Sequence, residues 1–452
     1  MELKRGDIEQ IKNISKAMDN YEETQMLKNR LEWFQDMKLG LILHWGVYAV
    51  SGEVESWRLS VGDEWAREPG WKGDIKKLQK DYWNLNKQFN PTLFNPKEWA
   101  DIAEKSGIKY LVFTTKHHDG FNMYDTKLSD YKVTGEDCPF HNDPRANITS
   151  EVFDAFRKRG MCIGAYYSKA DWHCPYYWVP GESALTRHTS YNKKENPELW
   201  QKYVDFTHGQ FKELMSEYGP VDLLWLDAGW VCAPEEDIDM DAIAKMARTY
   251  QPELIICDRT VGGRHENYIT PERCVPDAPL SKPWESGIPL ADNWGYVPND
   301  RYKSVRLVIH TFIDVVAKGG NLLLGIGPKP DGTLPEEAVK SMIAIGEWLN
   351  INGEGIYGTR AYAPYRQGQC AFTRKKDDLY VIYLLNEGED KLPEFIELPG
   401  VTINGDGQAL LLDSYKSLKI TKNSNNSIIE IPEDLRNTKG AACIFKICGG
   451  AQ

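Results

Sequence analysis

Asp227 follows four apolar residues, Leu223-Leu224-Trp225-Leu226, and Trp230 lies three positions beyond it. A carboxylate ending such a run either faces an opening or is buried, and burial without a partner costs several kcal/mol. Capping the next helix or pairing with Arg259 would be structural uses of the same residue. Glu272 and Glu285 each lie in a segment rich in proline and aromatic residues. One carboxylate fixed on a strand and a second leaning in from a loop suit cleavage of a glycosidic bond. The first attacks or stabilises an oxocarbenium-like centre, and the second gives a proton to the leaving oxygen. Residue types alone do not separate Glu272 from Glu285. Trp225, Trp230 and Trp294 offer flat apolar platforms for the C–H face of a sugar ring. His44, His117 and His118 offer neutral donors and acceptors for its hydroxyls.

The adjacent histidines also admit a divalent ion, with His44, His117, His118 and Asp227 around it, as in barrel amidohydrolases. Neighbouring residues at a strand end point in roughly opposite directions, however, and no His-x-His occurs. No metal site and no cofactor is expected.

These side chains need elements that bring them to one place. Leu39-Gly40-Leu41-Ile42-Leu43 leads to His44, and Tyr110-Leu111-Val112-Phe113 leads to Lys116-His117-His118. Similar runs are Ile163 to Tyr167, Leu223 to Leu226, Leu254-Ile255-Ile256 before Cys257-Asp258-Arg259, and Leu322 to Ile326. Helical periodicity predicts one or two amphipathic helices over 8–37. It also predicts helices starting near 96 and over about 150–160, 196–218, 241–250, 303–317 and 335–350. Strands that are apolar throughout and alternate with helices form a parallel sheet covered on both faces. So many units in series favour an α/β fold of the (β/α)8-like, TIM-type barrel kind, where the chemistry gathers at the C-terminal strand ends. One strand, within 274–296, is weakly marked, so an irregular barrel is expected. After residue 356 short apolar runs alternate with Gly, Asn, Asp and Pro turns, which predicts a C-terminal antiparallel β-sandwich. The expected division is 1–355 for a catalytic barrel with an N-terminal helical extension, and 356–452 for the sandwich.

The composition narrows the partners. Lys+Arg 54 against Asp+Glu 66 gives a net charge of −12, a surface that repels phosphate backbones, so nucleic acid is not an expected partner. No window of about 18 apolar residues exists to span a membrane. The nine cysteines include no Cys-x-x-Cys pair and read as free, mostly buried thiols. Met1-Glu2-Leu3-Lys4-Arg5-Gly6 has no apolar signal region, which fits either a protein that is not exported or a chain that begins after a removed signal. Fifteen tryptophans are many for one chain. Trp33, Trp83, Trp99, Trp200 and Trp348 fall in or beside predicted helices and read as packing. Trp45, Trp57, Trp65, Trp71, Trp172, Trp178, Trp225, Trp230, Trp284 and Trp294 fall at strand ends or in mouth-side loops.

An ordered series of motifs adds a family. His44-Trp45-Gly46-Val47-Tyr48, Thr115-Lys116-His117-His118-Asp119-Gly120-Phe121, Tyr166-Tyr167-Ser168 and Leu224-Trp225-Leu226-Asp227 come first. Asn321-Leu322-Leu323-Leu324-Gly325-Ile326-Gly327-Pro328 and Asp331-Gly332 complete it. From about residue 30 to 360 this resembles the α-L-fucosidases of glycoside hydrolase family 29. The resemblance implies an exo-acting, retaining hydrolase that removes terminal α-L-fucose from a fucosylated oligosaccharide or glycoconjugate. It implies Asp227 as nucleophile and His44, His117 and His118 as holders of the fucose hydroxyls, with Tyr167, Trp225 and Arg259 lining the pocket. Glu55 and Trp57 take the place of a Glu-Trp pair that the family usually carries as neighbours; here Ser56 stands between them. Thr270-Pro271-Glu272 matches a segment whose Glu is the acid/base in many members, and others use a Glu that would be Glu285. Glu272 is the first choice. It is expected to start protonated, in apolar surroundings beside the charge of Asp227, whose own pKa Arg259 keeps low. Two other readings stand beside this one. One is a catalytically inactive carbohydrate-binding protein. The other is a barrel hydrolase for α-L-galactosides, because L-galactose differs from L-fucose only by a hydroxyl at C6.

Overall fold

The computed structural model describes residues 24–181, 185–401, 403, 407–423, 426–438 and 440–451. The expected helix over 8–37 is described from 24 onward, and its part over 8–23 lies outside the described residues. Helix α1 (Gln25–Met37) is capped by the Thr24 hydroxyl and buries Leu27, Leu31 and Phe34, one stripe at helical spacing. That stripe packs with Ile42, Tyr110, Val112 and Tyr166, so α1 plugs the N-terminal end of the barrel.

Seven parallel strands follow: β1 (Leu39–Leu43), β2 (Tyr110–Lys116), β3 (Cys162–Ser168), β4 (Leu223–Asp227), β5 (Ile255–Asp258), β6 (Glu285–Pro289) and β7 (Asn321–Ile326). They pair in the order β5-β4-β3-β2-β1-β7-β6, leaving β5 and β6 as the two edges. Between them lies the weakly marked part of the sequence, which forms no regular strand. The Asp258 amide donates to the His265 carbonyl and the Asn267 amide to the Ile256 carbonyl, so the chain first runs down beside β5. It then rises beside β6, where Glu285 N donates to Ile269 O and Arg273 N to Gly287 O, with Ile269 bridging Trp284 and Glu272 bridging Gly287. Pro271 has no N–H to give, which keeps this rising stave from becoming a continuous strand. The barrel is thus seven strands and one irregular stave, and Glu272 rides on that stave.

Helix α2 (Ile75–Trp83) forms in the stretch before residue 96, where no helix is predicted; α3 (Pro96–Lys105), α4 (Ile148–Arg157), α5 (Pro197–Glu217), α6 (Met240–Tyr250), α7 (Val305–Ala317) and α8 (Glu336–Asn352) lie between or after the strands, close to the predicted bounds. Alternation along the strands separates two cores. Leu41, Leu43, Leu111, Phe113, Leu224 and Leu226 face the helices, and Ile42, Val112, Leu223, Trp225 and Leu323 fill the barrel.

The C-terminal unit is an eight-stranded antiparallel sheet: β8 (Arg360–Gln367), β9 (Cys370–Lys375), β10 (Asp378–Leu384), β11 (Phe395–Pro399), β12 (Gln408–Leu411), β13 (Lys416–Asn423), β14 (Asn426–Glu430) and β15 (Ala442–Ile447). The order β11-β14-β13-β12-β15-β10-β9-β8 is continuous, so the layers expected of a sandwich are halves of one sheet curled around one apolar core. It seats on the outer helices, where His310 and Trp348 bond to the carbonyls of Ala441 and Ala442. No helix among the described residues is long and apolar enough to cross a membrane. The described residues form no disulfide.

Candidate active site

The C-terminal strand ends enclose a cavity of about 640 Å³. Its walls include His44, Glu55, Trp57, His117, Tyr166, Trp225, Asp227, Arg259, Glu272 and Trp294, so most of the expected residues converge on one space. No described residue beyond Leu323 contributes, and the C-terminal sheet is not part of the cavity.

Asp227, the last residue of β4, forms the floor. Its Oδ1 accepts from Arg259 Nη1 at 2.8 Å and its Oδ2 from the Tyr166 hydroxyl at 2.7 Å. Burial alone would push this carboxyl up, but the Arg259 charge, His118 and the Tyr166 bond outweigh it and hold Asp227 well below the usual carboxylate range. Arg259 also gives Nη2 to Glu272 Oε2 at 2.8 Å and Nε to Thr270 Oγ1 at 3.3 Å, and its guanidinium lies 4.6 Å from the Trp225 ring centroid. One guanidinium therefore joins both carboxylates. Glu272 Oε1 takes the Trp294 indole N–H at 3.1 Å. Burial again pushes upward, yet Arg259 and Trp294 leave Glu272 below its ordinary value. This favours the carboxylate form of Glu272, against the expectation that it starts protonated.

The histidines are neutral donors and acceptors. Burial lowers His44 to about 3 and His118 to about 4, and His117 falls well below its ordinary value for the same reason. Ser168 Oγ donates to the Ala170 carbonyl, so it accepts from His118 Nδ1–H and leaves Nε2 as a bare acceptor, 3.7 Å from Asp227 Oδ2. His117 Nδ1 bonds to Ser56 Oγ; the residue inserted between Glu55 and Trp57 thus orients a pocket histidine. Glu55 and Trp57 both reach the cavity, with Glu55 Oε1 accepting from the Gly295 amide. His117 and His118 do not point apart: their ring centroids are 4.4 Å apart. The cause is local, because the β2–β3 register shifts between Thr114 and Lys116 and both histidines lie past the strand end, where alternation no longer applies. Ligand atoms of His117, His118 and Asp227 lie within 4.8 Å of one another. A cation there would share Asp227 with the Arg259 guanidinium, already bound to Oδ1.

Three expected residues are outside the lining: His118, buried just behind it beside Asp227, and Tyr167 and Glu285, which lie elsewhere. Tyr167 faces the outer helices, where its hydroxyl bonds to Gln210 and Lys116; Tyr166 takes the place in the cavity expected for it. Tyr166 pairs with Trp225 across β3 and β4 and stacks on it at 5.3 Å, so it shares the inward face with Asp227, two residues on. Glu285 begins β6 opposite Asn321, the first residue of β7, and therefore sits at the N-terminal level of the barrel. Its Oε2 accepts from the Tyr110 hydroxyl at 2.6 Å and its Oε1 from the Trp225 indole at 3.0 Å, below the cavity and outside its lining. Of the tryptophans expected at the mouth, Trp57, Trp65, Trp225, Trp230 and Trp294 line the cavity; Trp45, Trp172, Trp178 and Trp284 are buried in the core. Arg187, which the strand ends do not point to, also belongs to it, beside Thr270 of the Thr270-Pro271-Glu272 segment.

Burial raises the Glu285 carboxyl from 4.5 to about 7. An acid raised by folding carries no penalty while it is protonated in both states. The penalty grows as pH climbs from the unfolded value to the folded one, then stays constant. Glu285→Gln escapes it. The stability of the Gln variant relative to wild type should therefore rise by on the order of 3 kcal/mol between pH 4.5 and 7, read from urea unfolding at several pH values. Parallel curves would show that Glu285 does not ionise in that interval.

A model of the Alpha-L-fucosidase family matches residues 8–354. The chain belongs to the α-L-fucosidase family. Membership makes this fucosidase an exo-acting glycoside hydrolase that removes α-L-fucose from glycans. It is 30% identical to the plasma α-L-fucosidase of Homo sapiens over 353 residues, covering 73% of this chain and 70% of that protein. The tissue α-L-fucosidase of Homo sapiens is 28% identical over 377 residues, covering 78% and 75%. Among solved structures, α-L-fucosidase isoenzyme 1 from Paenibacillus thiaminolyticus superposes with a TM-score of 0.78 at 30% identity, over 94% of this fucosidase and 99% of that chain. The Thermotoga maritima α-fucosidase in complex with fucose gives 0.74 at 26% identity, over 94% and 100%.

Proposed function

We propose that Asp227 is the nucleophile and Glu272 the acid/base of a double displacement that releases terminal α-L-fucose. The observation that carries this is the bridge through Arg259, which sets both carboxylates against one guanidinium inside one cavity. Such close placement suits a retaining pair, about 5–5.5 Å apart, rather than the wider pair of an inverting enzyme that must admit a water.

Asp227, ionised before the attack, bonds to the anomeric carbon while Glu272 gives its proton to the glycosidic oxygen. The C–O bond breaks, the glycan leaves as an alcohol, and fucose stays on Asp227 as an ester. Glu272, now a carboxylate, takes a proton from water that attacks the same carbon and frees Asp227. The charges make this cycle self-consistent. Burial and the charge of Asp227 both raise Glu272, and a sugar sealing the cavity strengthens the first, which loads the proton for the first step. Once Asp227 is esterified its charge is gone and Arg259 turns wholly to Glu272, which favours the carboxylate needed in the second step.

The test is the first-formed anomer, followed by proton NMR during hydrolysis of p-nitrophenyl α-L-fucoside. α-L-Fucose should appear first and mutarotate later. β-L-Fucose appearing first would overturn the double displacement, and fucose binding without turnover would make the protein a carbohydrate-binding one.

A further inference from the structure

One wall of the cavity exceeds what a single fucose needs. Trp65 is 62% exposed, and among the described residues it is the one large apolar side chain both exposed and lining the cavity. An exposed indole is costly in water, and this one is held in place: its Nε1 donates to Asp63 Oδ1 at 3.0 Å. Asp63 is buried, and its two oxygens each accept from Arg187 Nε at 3.0 Å. The Val61 amide donates to the Leu185 carbonyl at 2.7 Å, so the loops carrying Trp65 and Arg187 are tied twice. The Arg187 guanidinium lies 4.6 Å from the Trp57 ring and 5.6 Å from that of Trp230. The Trp57 ring in turn lies 4.8 Å from His118, beside Asp227, and 5.8 Å from Trp65. The series His118, Trp57, Trp65 therefore leads from the reacting centre outward, ending on a fixed, uncovered indole.

We infer that Trp65 is the platform for the sugar that carries the fucose. A pyranose stacks its C–H face on the indole, and the outer N–H groups of Arg187 reach its hydroxyls. Asp63 holds both Trp65 and Arg187 through protein hydrogen bonds, so little entropy is lost when the leaving sugar docks. This rests on the fucosidase reading of the same cavity and adds the class of leaving group. The platform acts only in the first step, because the fucosyl-enzyme is the same whatever sugar has left.

Trp65→Ala and Trp65→Phe are compared with wild type on a fucosylated oligosaccharide and on α-L-fucosyl fluoride, whose leaving group has no ring. Trp65→Ala should lower kcat/KM on the oligosaccharide about tenfold or more and leave the fluoride within about twofold, with Trp65→Phe recovering most of the loss. An unchanged oligosaccharide rate would overturn the platform. Equal losses on both substrates would also overturn it, because Trp65 would then be shaping the fucose pocket itself. Failure of the underlying reading looks different: wild type would hydrolyse neither substrate.

Discussion

Asp227→Ala should lower kcat/KM on every α-L-fucoside by at least about a thousandfold, with the fold intact. Loss of the carboxylate removes the atom that bonds to the anomeric carbon, and no other side chain can take its place. Arg259 stays paired with Glu272, so the variant does not strand a buried cation, and thermal unfolding should remain cooperative. Azide provides the decisive readout. Entering the space left by the carboxylate, it attacks from the same face, and with no second displacement the product is β-L-fucosyl azide, inverted. Residual activity above a tenth of wild type, or a retained azide product, would remove Asp227 from the nucleophile's role.

Glu272→Ala should separate substrates by leaving group. On glycans, where the departing alkoxide needs a proton, a loss of roughly 10²–10⁴-fold is expected. On aryl fucosides with good leaving groups the first step should survive, with a burst of phenol followed by slow turnover. Azide should restore that turnover and give α-L-fucosyl azide, because Asp227 still makes the first displacement. The matching variant is Glu285→Ala. If that one shows the burst and the azide product, the acid/base is Glu285 and the placement of Glu285 below the cavity is misleading. The expected result is that Glu285→Ala shows neither and is chiefly less stable, since the Trp225 indole and the Tyr110 hydroxyl lose their acceptor.

Most strand ends were legible because uninterrupted apolar runs are hard to place anywhere but a covered parallel sheet. Asp227, His44 and Arg259 followed directly, each at or just past such an end. The choice between Tyr166 and Tyr167 did not follow, because it depends on which face of β3 meets Trp225, and that is set by register between strands far apart in the chain. The convergence of the histidine pair is hidden for a similar reason: period-two alternation holds only inside a strand, and these residues lie past the end of one. The ionised state of Glu272 depends on Arg259, thirteen positions earlier and aimed at two carboxylates at once, a triangle no linear pattern displays. Tryptophan counts pointed toward a ring-shaped ligand, but half of the mouth-side set serves the core or other loops.

The barrel closes through a seam. Between β5 and β6 the wall is a descending and rising loop stitched by a few backbone bonds and interrupted at Pro271, while β4 sits within an unbroken ladder on both sides. The two carboxylates are therefore mounted on unlike parts of the wall: Asp227 in a ladder paired on both sides, Glu272 on a stave held by a few backbone bonds. A covalent bond tolerates no play in the attacking atom, whereas a proton donor must follow leaving oxygens that differ from glycan to glycan. A shift of this stave would leave the Asp227 backbone in its ladder and reach its carboxylate only through Arg259, which bonds to both carboxylates.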